Sequence, residues 1–233
     1  MSGYPILVPD GPDRGLPWHY GDPFGEQSRM AQGFGAVALT QPGRLGVVNG
    51  PSHWLTVTGG DGQRFGHLLT INLDPATIGA TVTAVWKGYL QQLPLGLAPL
   101  EICPSPVGQG QLLIFTATQE VDAWTASQPV GLWAYEALRI AARWPRLDID
   151  IDIDEATDYM ANINKLRLIH LDGSADEPMP PVGTPLDWRG RMVGRLGSSI
   201  QHFELGPIGL ALVDSYVPIG ASVLIGQTDA LVT

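Results

Sequence analysis

The stretch RLDIDIDIDEATDYM (146–160) alternates four aspartates with three isoleucines, and such a row of carboxylates can bind metal or do acid–base chemistry. Successive side chains of a strand point to opposite faces, so Asp148, Asp150, Asp152 and Asp154 would share one face, roughly 6.5–7 Å apart. A hard cation takes oxygen ligands at about 2.3–2.6 Å, so two adjacent aspartates cannot close on one ion. The pattern favours a solvent-exposed strand face over a loose cation site or a catalytic cluster. Replacing Asp150 and Asp152 with asparagine is then expected to be neutral or slightly stabilising.

Other chemical signatures are missing from the sequence. It contains no GxSxG, GxxxxGK[ST], HExxH or CxxC motif, and its five histidines are scattered without ligand spacing. The single cysteine, Cys103, excludes an internal disulfide and a cysteine-only metal site within one chain. We therefore expect no catalytic residue and no metal ligand.

Composition limits the classes of partner. The 233 residues are 44% hydrophobic and 15% charged, which is typical of a globular protein. The net charge of −10 argues against a nucleic-acid surface, which needs basic groups to displace counterions. No apolar run approaches the about 18–20 residues of a membrane span, and the N-terminus does not have the pattern of a secretory signal. We expect a cytoplasmic protein that contacts neither membrane nor nucleic acid directly.

Hydrophobic spacing predicts the main elements. The segment 26–39 fits a short helix that continues into a strand, and 65–73 carries apolar residues at helical spacing. The segment 133–144 predicts the clearest helix, with Pro145 as its stop signal. From residue 166 onward, short strands and Gly/Pro turns about 10 residues apart predict a small antiparallel barrel or sandwich.

Several separated segments resemble one family in the same order along the chain. They are PWHYGDP with EQSRMAQG (17–33), VTGGDGQRFGHLLTINL (57–73), VGLWAYEALRIAARWPRL (130–147), LRLIHLDGS (166–174), GRMVGRLGSS (190–199) and ELGPIGLALV (204–213). The chain thus resembles the actinobacterial YgfZ-type folate-binding proteins and, more widely, the glycine-cleavage T-protein superfamily. The resemblance implies an α+β fold. Residues 1–147 would form an antiparallel-sheet, folate-binding-like region with packed helices, 148–165 a shortened acidic connection, and 166–233 a C-terminal antiparallel β-barrel.

The sequence departs from that family at two functional places. The family's lysine-glycine-cysteine-tyrosine-x-glycine-glutamine-glutamate motif is missing from residues 148–165, which contain no cysteine. In the T-proteins an acidic residue follows the glycine of the folate-facing hairpin, whereas here Gln91 and Gln92 occupy that region of 87–93. An amide cannot act as a carboxylate base, so aminomethyl transfer is disfavoured.

The resemblance implies a non-catalytic protein that binds tetrahydrofolate or a related reduced folate. It also implies a supporting role in iron–sulfur enzyme assembly or repair, linked to tRNA modification, with iron–sulfur enzymes as partners. The alternatives are a structural or partner-binding relative without a ligand and, third, a folate-dependent aminomethyltransferase. The implied ligand residues are Asn72, Trp86, Lys87, Glu136 and Arg139.

Four of these residues also have an ordinary structural interpretation. Trp86 would fill the core, Lys87 would occupy a turn, and Glu136 with Arg139 would form an exposed helical ion pair.

Overall fold

The described part of the chain forms two compact units. The computed structural model describes residues 4–10, 13–39, 45–47, 54–57, 66–67, 69–70, 81–85, 101–105, 107, 110–115, 130–147, 149–151, 165–174 and 177–233. The units are Met1–Leu138 and Arg139–Thr233, and the boundary between them falls inside a helix. The division into 1–147, 148–165 and 166–233 stays a prediction.

The first unit contains mostly short strands. Its elements are β1 (Ile6–Leu7), β2 (Pro17–His19), α1 (Pro23–Ala31), β3 (Ala36–Ala38), β4 (Leu45–Val47), β5 (Trp54–Val57), β6 (Gly66–His67), β7 (Leu69–Thr70), β8 (Thr81–Val85), β9 (Glu101–Pro104) and β10 (Gln111–Phe115). Helix α2 (Leu132–Ala141) crosses the unit boundary. The second unit continues with β11 (Arg146–Leu147), β12 (Leu166–Leu171), β13 (Pro185–Trp188), β14 (Arg191–His202), β15 (Gly206–Val213), β16 (Ser222–Ile225) and β17 (Thr228–Val232).

Antiparallel sheets dominate the described residues of the Met1–Leu138 unit. A four-stranded sheet has the order β3-β8-β10-β9, a three-stranded sheet has the order β4-β5-β7, and β1 pairs with β2. The central strand β10 places Leu113 opposite Thr83 of β8 and opposite Ile102 of β9. These sheets confirm the antiparallel-sheet region expected before the barrel.

Helix α1 begins and ends at recognisable signals. The side chain of Asp22 accepts a hydrogen bond from the Gly25 N–H at 2.9 Å, and Pro23 occupies the first turn, where an N–H is not needed. After Ala31 the chain turns at Gly33, whose φ of 95° suits glycine, and β3 follows. The predicted helix-then-strand order over 26–39 is confirmed.

Helix α2 confirms the helix predicted over 133–144, although it ends at Ala141. The Arg143 N–H donates to Ile140 O at 2.9 Å, and the Trp144 N–H donates to Arg139 O at 2.8 Å. Arg143 has φ of 58°, the left-handed conformation that commonly follows the last turn of a helix. The helix therefore ends at this turn, before it reaches Pro145.

The C-terminal strands form a closed antiparallel barrel in the order β12-β15-β14-β13-β16-β17. Closure pairs every strand edge, so the small sheet leaves no edge exposed. Alternate residues of β16 and β17 are buried and exposed, as the period of a strand requires. The buried side chains form one apolar cluster: Ile169, Leu171, Leu186, Val193, Leu196, Ala211, Val213, Val217, Ala221, Val223, Ile225, Ala230 and Val232. The predicted barrel is confirmed.

The helical spacing over 65–73 is misleading. The described residues of this segment form β6 and β7, and Leu69 of β7 pairs with Leu55 of β5. A short apolar run suits a buried strand as well as a helix, and pairing with β5 decides the outcome. The helix prediction is wrong for these residues.

A buried histidine closes the hairpin between β14 and β15. His202 is 6% exposed, and its Nδ1 accepts hydrogen bonds from the Glu204 N–H and the Leu205 N–H, each at 3.1 Å. Burial lowers the pKa of His202 from its ordinary value of 6.5, although the negative charge of Glu204 acts to raise it. Protonation of Nδ1 would remove the acceptor for both turn N–H groups.

We expect the barrel to lose stability at mildly acidic pH. Below about pH 6.5 the unfolded chain takes up a proton at His202 that the folded hairpin resists, so the free energy of unfolding falls until the lowered folded-state pKa is passed. Urea unfolding between pH 5 and 8 would measure this dependence. His202→Asn, which keeps an acceptor but does not titrate, should flatten the profile relative to His170→Asn on β12. An unchanged profile in His202→Asn would contradict this account.

Candidate functional site

Two of the five predicted ligand residues lie on helix α2. Glu136 is 6% exposed and Arg139 is 0% exposed, so the interpretation as an exposed helical ion pair is wrong. Asn72, Trp86 and Lys87 lie outside the described residues. The ligand role of all five residues stays a prediction.

The guanidinium of Arg139 is held by groups of its own unit. Nη1 donates to the carbonyl oxygen of Trp144 and to Oδ2 of Asp150, both at 2.9 Å, and Nη2 donates to Oγ of Ser198 at 2.5 Å. The side chains of Arg139 and Asp150 are both fully buried. A buried charge is tolerated when it is paired and hydrogen-bonded, and this guanidinium meets both conditions.

Asp150 accepts hydrogen bonds on both carboxylate oxygens. Oδ1 accepts from the Ser198 N–H at 2.6 Å, and Oδ2 accepts from the Arg146 N–H at 2.7 Å and from the Ser198 hydroxyl at 3.1 Å. With Arg139 added, both carboxylate oxygens are occupied by hydrogen-bond donors of the protein. Asp150 is therefore suited to a structural role.

Asp150 does not lie on a solvent-exposed strand face, so that prediction is wrong for this residue. It lies in a turn, where its N–H donates to Arg146 O at 2.9 Å. Asp150 and Ile151 are each 1% exposed, so two consecutive residues are buried, which the alternation of a one-sided strand does not allow. The other three aspartates of the row lie outside the described residues.

A glycine lets the barrel backbone approach this carboxylate. A Cβ atom at Gly197 would lie 2.3 Å from Oδ1 of Asp150 and 2.9 Å from its Cα. The neighbouring Ser198 then supplies both an N–H and a hydroxyl to Asp150. The pair Gly197–Ser198 on β14 thus fits Asp150 by size and by hydrogen bonding.

Sequence reasoning missed the roles of Asp150 and Ser198. One local signal was present. Leu132, Tyr135 and Arg139 stand at positions i, i+3 and i+7, which lie on one side of a helix, and all three are buried on α2. An arginine on a buried stripe requires a buried acceptor. The sequence alone does not say which of the nearby carboxylates supplies it.

A second buried carboxylate joins elements of the Met1–Leu138 unit. Glu26 of α1 is 1% exposed, and its two oxygens accept from the Tyr20 N–H and the Gly131 N–H, each at 2.7 Å. Gly131 precedes α2, and a Cβ there would lie 2.1 Å from the Trp18 carbonyl oxygen. Glu26 therefore links the backbone at Tyr20 to the backbone at Gly131, directly before α2.

Aromatic side chains pack at the same place. Trp133 of α2 stacks on Trp18 with 5.5 Å between ring centroids. His19 and Phe24 meet Trp133 edge-on at 5.7 and 6.1 Å. The first turn of α2 is therefore stabilised by two kinds of contact: the aromatic packing of Trp133 and the hydrogen bond from Gly131 to Glu26.

The described residues contain neither a metal-binding cluster nor a membrane-spanning helix. No group of three His, Cys, Asp or Glu side chains among them is arranged to hold a metal ion. Nor does any helix in the described part of the chain have the length and apolar character that crossing a membrane requires.

The architecture defines an α+β protein with antiparallel sheets and a closed six-stranded barrel. It is similar to the crystal structure of aminomethyltransferase T of the glycine cleavage system from Bartonella henselae, with a TM-score of 0.63 over 100% of this chain and 93% of that chain. The identity is 14%, so this likeness shows the fold alone. No family model matches the sequence, and no curated protein sequence matches it. The chain thus has a T-protein-like fold.

We expect Asp150→Asn to lower the free energy of unfolding by about 3–5 kcal/mol, because it removes the carboxylate that pairs with the buried Arg139 guanidinium. Chemical denaturation followed by tryptophan fluorescence would measure the loss. The matched control is Asp229→Asn, an exposed aspartate of β17, which should change stability by no more than about 0.5 kcal/mol.

A double-mutant cycle separates the ion pair from other effects. The single changes are Arg139→Met and Asp150→Leu, and each leaves its partner's charge buried without the other. The double variant contains neither charge, so its loss of unfolding free energy should be smaller than the sum of the two single losses. If Asp150→Asn is as stable as the unmodified chain, the buried pairing of Asp150 is contradicted, and a solvent-exposed Asp150 is the better interpretation.

Proposed function

We propose that this chain binds tetrahydrofolate or a related reduced folate without catalysing a reaction on it. The observation that carries the proposal is the likeness of fold to an aminomethyltransferase T over the whole chain. The sequence resemblance to the folate-binding YgfZ and T-protein families supports the same ligand. The fold likeness alone does not specify a function, so the proposal depends on the residues assigned to the site.

The proposed site uses residues of one unit. Asn72, Trp86, Lys87 and Glu136 all belong to Met1–Leu138. Glu136 is 6% exposed, and a carboxylate sheltered from water pairs strongly with the amino edge of a pterin. Trp86 would offer its ring face to the flat pterin, and Lys87 would meet the anionic glutamyl tail.

Arg139 receives a different role in this proposal. Its guanidinium already donates to Asp150, Ser198 and the carbonyl of Trp144. Binding the glutamyl tail would require it to give up those buried partners. We therefore assign the tail to Lys87 and treat Arg139 as a residue that positions its own end of α2.

The absence of catalysis rests on the sequence. Gln91 and Gln92 stand where the T-proteins carry an acid, and an amide neither accepts a proton as a base nor stabilises a developing cation. Residues 148–165 also lack the reactive cysteine motif of the YgfZ family. Ligand binding without group transfer fits these two departures.

We further propose that the folate-bound protein supports the assembly or repair of iron–sulfur enzymes, including enzymes of tRNA modification. The family resemblance is the support for this role. The partner would be an iron–sulfur protein, because the negative charge of −10 does not favour direct contact with tRNA.

Isothermal titration with tetrahydrofolate tests the ligand. We expect a dissociation constant of about 10–100 µM, or roughly 5.5–7 kcal/mol, because the net negative charge opposes an anionic ligand. Glu136→Gln and Lys87→Gln should each weaken binding about tenfold. Arg29→Gln, on the exposed side of α1, removes one positive charge and should leave binding unchanged.

Three outcomes separate the candidate functions. Binding without turnover in a glycine-cleavage assay supports the proposal. No heat of binding with millimolar tetrahydrofolate favours the structural or partner-binding alternative. Turnover in the assay would establish the transferase and show that Gln91 and Gln92 do not prevent catalysis.

A cellular test addresses the iron–sulfur role. Deleting the gene should lower the activity of iron–sulfur enzymes and the level of tRNA modifications that depend on them, while their protein amounts stay constant. Complementation with Lys87→Gln should restore less activity than complementation with Arg29→Gln. Normal iron–sulfur enzyme activity in the deletion strain under oxidative stress would exclude this role and leave the folate titration unaffected.

A further inference from the structure

The barrel unit carries an open cavity of about 460 Å³, a volume within the usual range for small-molecule sites. Its wall combines charged and apolar residues, among them Lys165, Pro185, Met192, Leu212 and Asp214. None of the residues proposed for the folate belongs to this wall. The cavity is therefore a separate feature that the proposed function does not use.

One charge of each sign is placed at neighbouring backbone positions of the wall. The Val213 N–H, at the end of β15, donates to Lys165 O at 2.9 Å, and Asp214 follows Val213 directly. The Asp214 N–H in turn donates to Val193 O of β14 at 2.8 Å. The backbone of both charged residues is thus fixed by the barrel, which lowers the entropy lost when a ligand binds between their side chains.

The Lys165 ammonium and the Asp214 carboxylate do not pair with each other. Both side chains are exposed, and within the described residues neither forms an ion pair or a side-chain hydrogen bond. Opposite charges that share one cavity wall without contact can each meet a counter-charge on the same ligand. Because the two charges cancel, the wall complements a molecule that carries both signs better than a simple anion or a simple cation.

Arg195 also belongs to the wall, but its guanidinium is already engaged. Nη1 donates to the carbonyl oxygen of Ile149 at 3.1 Å, and Nη2 is buried. The aliphatic stem of an arginine can cover apolar groups while its head is held elsewhere. We therefore count only Lys165 and Asp214 as charged groups that a ligand in this cavity can meet.

Apolar side chains adjoin the two charges. Met192 is 74% exposed although it lines the cavity, and Leu212 and Pro185 lie opposite Arg195 on the two neighbouring strands. A ligand that covered Met192 would remove a large apolar side chain from water. The wall therefore matches a molecule with both charges at one end and an aliphatic body at the other.

We propose that this cavity binds a free α-amino acid with an aliphatic side chain, such as leucine. Lys165 holds the carboxylate, Asp214 holds the ammonium group, and Met192 with Leu212 cover the side chain. An α-amino acid carries both charges on one carbon, which suits two side chains that start from neighbouring backbone positions. A ligand with one charge leaves either Lys165 or Asp214 without its counter-charge, so the site selects the zwitterion.

Titration of the full chain with L-leucine, followed by ¹H–¹⁵N NMR, tests this site. The backbone amides of Gly194 and Asp214 should shift and saturate at millimolar concentration. The compound 4-methylpentanoate lacks the ammonium group, 3-methylbutylamine lacks the carboxylate, and glycine lacks the aliphatic body. Each of them should bind about tenfold more weakly than leucine, or weaker still.

Matched variants assign the effect to individual residues. Lys165→Gln and Asp214→Asn should each weaken leucine binding about threefold to tenfold, because each removes one of the two counter-charges. The controls are Arg191→Gln and Asp229→Asn, which remove one exposed charge of each sign outside the cavity wall and should change nothing. All four side chains are exposed, so these variants test binding without disturbing the core.

Three results would overturn the proposal. They are shifts that do not saturate up to about 50 mM leucine, binding of 4-methylpentanoate or 3-methylbutylamine as tight as that of leucine, and equal weakening by the wall variants and their controls. None of them bears on the folate titration, because the two sets of residues do not overlap.

Discussion

The buried ion pair between Arg139 and Asp150 is the directional contact that joins three segments of the Arg139–Thr233 unit. Two charges leave water here, and desolvation is compensated only because Ser198 and two backbone groups complete their hydrogen bonds. The pair connects the last turn of α2, the turn at Asp150 and the barrel strand β14. Two of these segments are eleven residues apart and the third lies 48 residues further along the chain, and all three must be placed correctly before the pair is stable. It is thus a specific contact, whereas the apolar barrel cluster supplies the non-directional stabilisation.

Helix α2 illustrates how one element serves two separate packing environments. Its first turn is held by Glu26 and by aromatic contacts of Trp133 within Met1–Leu138, while Arg139 belongs to the Arg139–Thr233 unit and pairs with Asp150 there. Buried carboxylates play the same physical part in both places, since Glu26 and Asp150 each accept backbone N–H groups that would otherwise be unsatisfied. This use of acidic residues explains why a chain with a net charge of −10 still contains carboxylates that are scarcely exposed.

The T-protein-like fold and the proposed chemistry stand on different grounds. Fold follows from strand order and closure of the barrel, which tolerate an identity of 14%. Function depends on a few side chains of the correct type, so the proposed folate binding rests on the residues assigned from the family resemblance and not on the fold. Proton transfer in particular needs one group of the correct type, whereas binding energy is distributed over several contacts.

The sequence by itself predicted the C-terminal antiparallel strands, both described helices and the absence of common catalytic motifs. Periodic burial in β16 and β17 and the apolar stripe of α2 are local patterns, so they are visible along the chain. Tertiary structure alone decided the closure of the barrel, the strands Gly66–His67 and Leu69–Thr70, and the position of Asp150. Leu69 becomes a strand residue because β5 supplies its backbone partners. Asp150 becomes buried because Arg139, eleven residues earlier, and Ser198, 48 residues later, converge on it. No periodicity encodes a contact between residues so far apart, because that contact exists only when the chain has folded.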